Sequence, residues 1–213
     1  MNIYICGDST AASYSADEAP MIGWGQMLEN YAGVHVENRA MAGRSSKTFL
    51  AEGRLQKIES EIHSGDLLLI QFTHNDISDL VWRHTDPWTS FLHCLSIYVD
   101  TARQNGAVPV LLTPICQRLW EGETLLESHG DYPDAVRHLA AQKNVPLIDL
   151  YAESTQYLRT IGEEESRKLY MHVEPGVYPR YPNGQKDDTH TQRAGAEAWA
   201  KIVAEKLKAL GLI

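Results

Sequence analysis

Cysteine is scarce. The 213 residues include three, Cys6, Cys94 and Cys116, each within or beside an apolar segment. An odd, dispersed set of this kind is no disulfide framework and reads as the reduced core thiols of a cytoplasmic protein. No Cys-x-x-Cys or His-Glu-x-x-His spacing occurs, so neither a metal centre nor any other cofactor is expected. No apolar run approaches the ~20 residues needed to span a bilayer. Met1 leads straight into a strand-like pattern rather than a charged and apolar leader, so neither membrane association nor export is expected. Positive charge is also short, with 19 Lys and Arg against 28 Asp and Glu and a formal charge of −9. A nucleic-acid binder carries the opposite balance. Repeats and low-complexity tracts are missing too. What remains, 43% hydrophobic and 22% charged, is an ordinary globular composition, and the length suits one α/β domain over residues 1–213.

The chain is organised around its first apolar stretch, Asn2-Ile3-Tyr4-Ile5-Cys6, which stops at Gly7-Asp8-Ser9-Thr10. A β-branched and aromatic run ended by such a turn reads as a buried parallel strand. Further strands are expected over 34–38, 67–72, 107–112 and 145–150. Helices are expected over 23–31, 47–63, 88–105, 133–143, 151–170 and 192–210 from their 3.6-residue apolar spacing. The segments 115–132 and 174–188 read as long loops, the second carrying prolines and glycines. Five strands alternating with helices predict a three-layer α/β/α sandwich. Its parallel sheet should run in the flavodoxin-like order 2-1-3-4-5.

That order makes the ends of the first three strands neighbours. Gly7-Asp8-Ser9, Ala42-Gly43-Arg44-Ser45 and His74-Asn75-Asp76 then converge at the carboxyl edge, where open α/β sheets bind ligands. A serine hydroxyl needs a base to become a nucleophile and donors to hold an oxyanion. Lys186-Asp187-Asp188-Thr189-His190, ahead of the last helix, offers the base. An Asp and a His three residues apart can set the carboxylate against Nδ1 and leave Nε2 facing outward. Candidate donors are the N–H groups of Ser9 and Gly43 and the side-chain amide of Asn75. Singly, each piece is more often a turn or a cap. Their coincidence at three strand ends, with an Asp-His pair, points to catalysis.

These blocks resemble those of the SGNH (GDSL-type) hydrolases. The strings Gly7-Asp8-Ser9-Thr10-Ala11-Ala12, Asn38-Arg39-Ala40-Met41-Ala42-Gly43-Arg44-Ser45-Ser46-Lys47-Thr48-Phe49, Phe72-Thr73-His74-Asn75-Asp76 and Asp187-Asp188-Thr189-His190 are similar to the rhamnogalacturonan acetylesterase branch. The resemblance runs from Gly7 to about Trp199. It implies metal-free hydrolysis of acetyl esters on pectic oligosaccharides, with Ser9 as nucleophile, His190 as base and Asp187 as its partner. Ser9, Gly43 and Asn75 form the implied oxyanion hole. One departure is visible: the third block usually opens with glycine and here has Thr73. A β-branched residue there disfavours any φ > 0 conformation, and Thr73 is expected to narrow the cleft beside Asn75.

Arg44, Arg180 and Lys186 flank the expected cleft and suit the carboxylates of a uronic-acid substrate. Tyr178, Tyr181 and Trp120 could stack on sugar rings, and His74 could meet substrate beside Asn75. Asp8 is expected to hold its turn, and Asp188 to be exposed or capping. His84, His93, His129 and His172 show no ligand spacing and read as surface or core residues. The Gly-x-Ser-x-Gly elbow of α/β-hydrolases is excluded, because Ala11 stands where its second glycine would be.

Overall fold

The computed structural model describes residues 1–213. Strand β1 (Ile3–Gly7) is buried along its whole length, and its side chains alternate between two faces. Ile3 and Ile5 join an apolar cluster with Trp24, Leu28, Trp199, Val203 and Leu207. Tyr4 and Cys6 join another with Phe49, Leu55, Ile58, Leu95 and Val99. A strand apolar on both faces needs a helical layer against each, and the chain supplies both.

Helices α1 (Trp24–Met27) and α2 (Glu29–Ala32) lead to β2 (Val36–Asn38). Helices α3 (Ser46–Ala51) and α4 (Arg54–Glu59) lead to β3 (Leu67–Gln71), and α5 (Leu92–Gln104) leads to β4 (Val108–Leu112). A short hairpin, β5 (Trp120–Glu121) with β6 (Thr124–Leu125), precedes α6 (Tyr132–Lys143), β7 (Leu147–Ile148) and α7 (Leu150–Ser166). A second hairpin pairs β8 (Tyr170–Val173) with β9 (Gln185–Thr191) ahead of α8 (Arg193–Ala209). The five-stranded sheet is parallel in the order β2-β1-β3-β4-β7. This is the expected 2-1-3-4-5, with β7 as its fifth strand.

Several boundaries differ from the sequence reading. The helix expected over 47–63 is two, because Gly53 takes a left-handed φ of 71° between α3 and α4. The strand expected over 145–150 keeps only Leu147–Ile148, since Asp149 turns to cap α7 by accepting from Ala152 N–H. The helix expected to reach Tyr170 stops at Ser166, and Tyr170 opens β8. The expected loop 174–188 becomes strand from Gln185 onward. Its sequence, Gln185-Lys186-Asp187-Asp188-Thr189-His190-Thr191, has no apolar alternation to announce pairing. The other expected loop contains the β5–β6 hairpin. Its Trp120 packs against the first apolar cluster rather than standing free to stack on a sugar.

Strand β9 runs almost directly into α8, so the packing of that helix's first turn fixes where β9 ends. A Cβ on Gly195 would lie 2.3 Å from the Leu169 carbonyl oxygen, which accepts from Gln192 N–H at 2.9 Å. Gly195→Ala must therefore push α8 away from the β8 end. We expect a loss of about 1–3 kcal/mol of folding stability, read as a lower urea midpoint. An unchanged midpoint would show that this packing is soft.

Candidate active site

Between β8 and β9 the pairing steps from Met171 opposite Asp187 to Tyr170 opposite Thr191, so Asp188, Thr189 and His190 loop out as a bulge. Bulges re-aim side chains. Asp187 Oδ1 holds this one together, accepting from Thr189 N–H at 2.8 Å and His190 N–H at 3.0 Å. Its other oxygen, Oδ2, lies 2.7 Å from His190 Nδ1. A carboxylate can only accept here, so Nδ1 carries a proton and Nε2 presents its lone pair. Nε2 is 2.8 Å from Ser9 Oγ. The expected Asp-His-Ser chain is therefore assembled across a sequence separation of 181 residues.

Burial and charge tune this pair. For His190, burial lowers the pKa, but the hydrogen bond and charge of Asp187, with a contribution from Asp8, outweigh it and leave the imidazole above its ordinary value. For Asp187, burial acts upward, and the bonds to His190 and to the two bulge amides leave the carboxyl below its ordinary value. The imidazole can take a proton and be held as a cation against a carboxylate that stays ionised.

Ser9 itself is 6% exposed and sits just past β1. Tyr14 Oη donates to its carbonyl at 2.7 Å. Asp8, fully buried, accepts from Thr10 N–H (2.9 Å), Thr10 Oγ1 (2.8 Å), His74 N–H (3.3 Å) and His74 Nδ1 (3.0 Å). It thus ties the turn after β1 to the turn after β3. His74 spends Nδ1 on Asp8 and Nε2 on the Ile115 carbonyl, yet its ring still lines the cleft. Asp76 makes the next tie, accepting from Ser46 N–H and Oγ and from Thr85 Oγ1. Burial dominates the Asp76 carboxyl and raises it to about 6 despite those bonds.

The turns after β1, β2 and β3 therefore meet, and the cleft between them has a volume of about 540 Å³. Ser9, Gly43, Asn75 and His190 all line it. The Ser9 and Gly43 N–H groups donate to no other group of the protein, which leaves both open to an oxyanion. Gly43 has φ 78°, and a Cβ there would meet nothing within 4 Å. Glycine suits this position for its backbone angle, and no neighbouring protein atom would crowd a side chain there. Asn75 Nδ2 donates to the Arg44 carbonyl at 3.1 Å and keeps a second hydrogen.

Other sequence expectations fare unevenly. Arg180 lines the cleft, as does His74, but Arg44 and Tyr181 do not. The Arg44 guanidinium is turned to Glu52 at 3.1 Å and to the Ala42 carbonyl, and its backbone oxygen is what reaches the site. Tyr181 sits in a local turn, its N–H donating to the Tyr178 carbonyl. Lys186 borders a separate cavity of about 550 Å³ with Arg167 and His172. Asp188 is neither free nor a cap: it pairs with the buried Arg118 at 3.0 Å and with His172 Nε2 at 2.7 Å. Thr73 has φ 157°, a positive value that β-branched residues rarely adopt, and is wholly buried outside the cleft lining, its Oγ1 without a hydrogen-bond partner. The conflict expected of a β-branched residue at positive φ is therefore present in the backbone, but Thr73 does not narrow the cleft. Tyr14, Arg83 and Gln117 line the cleft without having been singled out in the sequence. All three lie in irregular segments, where no periodicity marks a side chain's direction.

The sequence profile of the GDSL-like Lipase/Acylhydrolase family matches residues 5–198. Over its full length the chain is 41% identical to rhamnogalacturonan acetylesterase RhgT of Bacillus subtilis (strain 168), covering 91% of that protein. It is 40% identical, over 99% of its length and 94% of the relative, to the probable rhamnogalacturonan acetylesterase YesY of the same organism. Among solved structures, the Bacillus subtilis protein YxiM superposes with a TM-score of 0.82 at 28% identity, over 99% of this chain and 56% of that one. On this sequence match and this architecture, the chain belongs to the GDSL-like lipase/acylhydrolase family and is a carboxylic ester hydrolase of the SGNH type.

Proposed function

We propose that the protein is a serine acetylesterase that removes O-acetyl groups from pectic oligosaccharides of the rhamnogalacturonan type. The observation that carries this reading is the hydrogen-bonded chain Asp187–His190–Ser9, which opens onto a polar cleft. Ser9 Oγ attacks the acetyl carbonyl while His190 Nε2 takes its proton. The oxyanion is held by the N–H groups of Ser9 and Gly43 and by Asn75 Nδ2. As the tetrahedral intermediate collapses, the sugar oxygen leaves with the proton from His190, and the acetyl group remains on Ser9. A water then gives a proton to His190 and attacks the acyl-enzyme. Acetate departs, and the proton returns to Ser9 Oγ.

The substrate class rests on the two relatives named for rhamnogalacturonan acetyl esters and on the cleft's chemistry. Arg180, which lines the same cleft as Ser9, suits a uronate carboxylate. A lining of tyrosine, histidine, arginine and amide side chains suits a sugar better than a long acyl chain. No helix of the chain is long and apolar enough to cross a membrane. The three buried, unpaired thiols support action in the cytoplasm on oligosaccharides taken up by the cell.

The test is acetate release from acetylated rhamnogalacturonan oligomers beside acetylated xylan oligomers, with Ser9→Ala as control. Release is expected from the pectic substrate and to vanish in the variant with the fold intact. Residual turnover at the parent rate in Ser9→Ala would sink the mechanism, and preference for xylan would move the substrate. Asn75→Ala should lower kcat by about 10²–10³ if its amide is an oxyanion donor; a loss below about threefold would make it a turn residue only.

The acid limb of kcat/KM reports the free imidazole. It should lie above the ordinary histidine value of about 6.5, because Asp187 raises His190. Activity then falls as pH drops and His190 becomes protonated. Asp187→Asn removes the raising charge, so the limb should move to lower pH while the plateau falls. A limb that stays in place would mean that Asp187 does not set the imidazole's proton affinity.

A further inference from the structure

An amide side chain is a useful oxyanion donor only if it presents nitrogen, not oxygen, to the reacting atom. A primary amide turned by half a rotation would put a carbonyl lone pair there and repel the developing charge. Two groups around Asn75 decide this orientation. The Arg44 carbonyl can only accept, and it faces Nδ2 at 3.1 Å. The Arg83 guanidinium can only donate, and its Nη1 faces Oδ1 at 3.0 Å. Flipping the amide would break both bonds and set oxygen against oxygen and N–H against N–H.

We propose that Arg83 is a positioning residue for ester hydrolysis: it locks the Asn75 amide with one N–H aimed into the cleft and polarises it as a donor. The inference rests on the reading of Asn75 as an oxyanion donor. A charged donor on Oδ1 draws electron density from the amide nitrogen, so the remaining N–H bond becomes a stronger donor. The bond is placed where solvent competes little, since Asn75 is 8% exposed.

Arg83 is itself held. Its guanidinium lies 5.5 Å from the centre of the Trp82 ring, a distance suited to cation–π attraction. The loop carrying it, residues 77–84, is closed at its neck by Thr85 N–H on the Asp76 carbonyl (3.0 Å) and Thr85 Oγ1 on the Asp76 carboxylate (2.9 Å). Lys47 Nζ donates to the Val81 and His84 carbonyls at 3.0 and 3.2 Å. Asp76 directly follows Asn75, so the same neck fixes the amide and the loop that clamps it. Arg83 also borders the cleft and has the chemistry to meet a substrate carboxylate directly. The two roles differ in what survives when Asn75 is removed.

A double-mutant cycle on kcat with 4-nitrophenyl acetate, which has no carboxylate, separates them. The set is the parent, Arg83→Ala, Asn75→Ala and the double variant, each checked by thermal melting. Arg83→Gln replaces Arg83→Ala if the melting midpoint falls. Arg83→Ala is expected to lower kcat about tenfold, a size typical of coupled neighbours, with KM within twofold and the acid limb of kcat/KM unmoved. The double variant should be no slower than Asn75→Ala, because a clamp has nothing left to orient. If the two losses multiply, Arg83 acts independently of Asn75, and the inference is overturned while the oxyanion reading stands. If Asn75→Ala alone costs less than about threefold, the oxyanion reading fails and the inference falls with it. A shift of the acid limb in Arg83→Ala would also overturn it, since it would trace the loss to His190.

Discussion

The 2.8 Å hydrogen bond between Ser9 and His190 joins the first strand of the chain to its last, and the rest of the architecture serves to hold that distance. Ser9 is fixed by the central position of β1, paired to β2 on one side and β3 on the other. His190 is fixed by a bulge in β9 in which Asp187 bonds to two bulge amides and to the imidazole, with Asp188 anchored to Arg118 and His172. One carboxylate therefore shapes the backbone and sets the tautomer. That economy explains why the carboxylate and the imidazole sit three residues apart: the same Asx-type turn that ejects the histidine also gives it a partner.

Two further buried carboxylates perform no proton chemistry in this scheme, yet the cleft depends on them. Asp8 draws the turn after β1 to His74, and Asp76 draws the start of α3 to the loop neck at Thr85. Burying a charge costs free energy unless hydrogen bonds surround it. The rise of the Asp76 carboxyl to about 6 shows that its bonds do not fully offset that burial, whereas Asp8, which also faces His74, ends below its ordinary value. Neutral donors suffice to hold a turn. An imidazole partner is what keeps a buried carboxylate firmly ionised.

The cleft belongs to turns rather than to strands. The sheet supplies a rigid carboxyl edge, and three neighbouring turns of different sequence each bring a donor to it. Two of these are backbone N–H groups with no competing acceptor. The third is a side-chain amide with both ends occupied by groups that accept no alternative orientation. In the proposed reaction, donors preorganised in this way do not have to reorient as charge develops on the substrate oxygen.

The α/β class, the strand order and the residues that meet at the sheet edge are all legible in the order of the amino acids. Alternating apolar strands and helices leave few right-handed parallel topologies, and the blocks at Gly7, Gly43, Asn75 and Asp187 fall at the expected strand ends and ahead of the last helix. The β8–β9 hairpin and its bulge are not legible there and emerge from long-range packing, because the polar run Gln185–Thr191 has no periodicity and pairs through its backbone. The same packing leaves Arg44 and Tyr181 outside the cleft lining and brings Arg83 and Tyr14 into it. Side chains on irregular loops take their direction from long-range contacts, such as Arg44 with Glu52 and Arg83 with Asn75. No local spacing encodes those contacts. Thr73 shows the same limit: it stands out in the sequence as a departure, but its positive φ and its burial away from the cleft follow from packing.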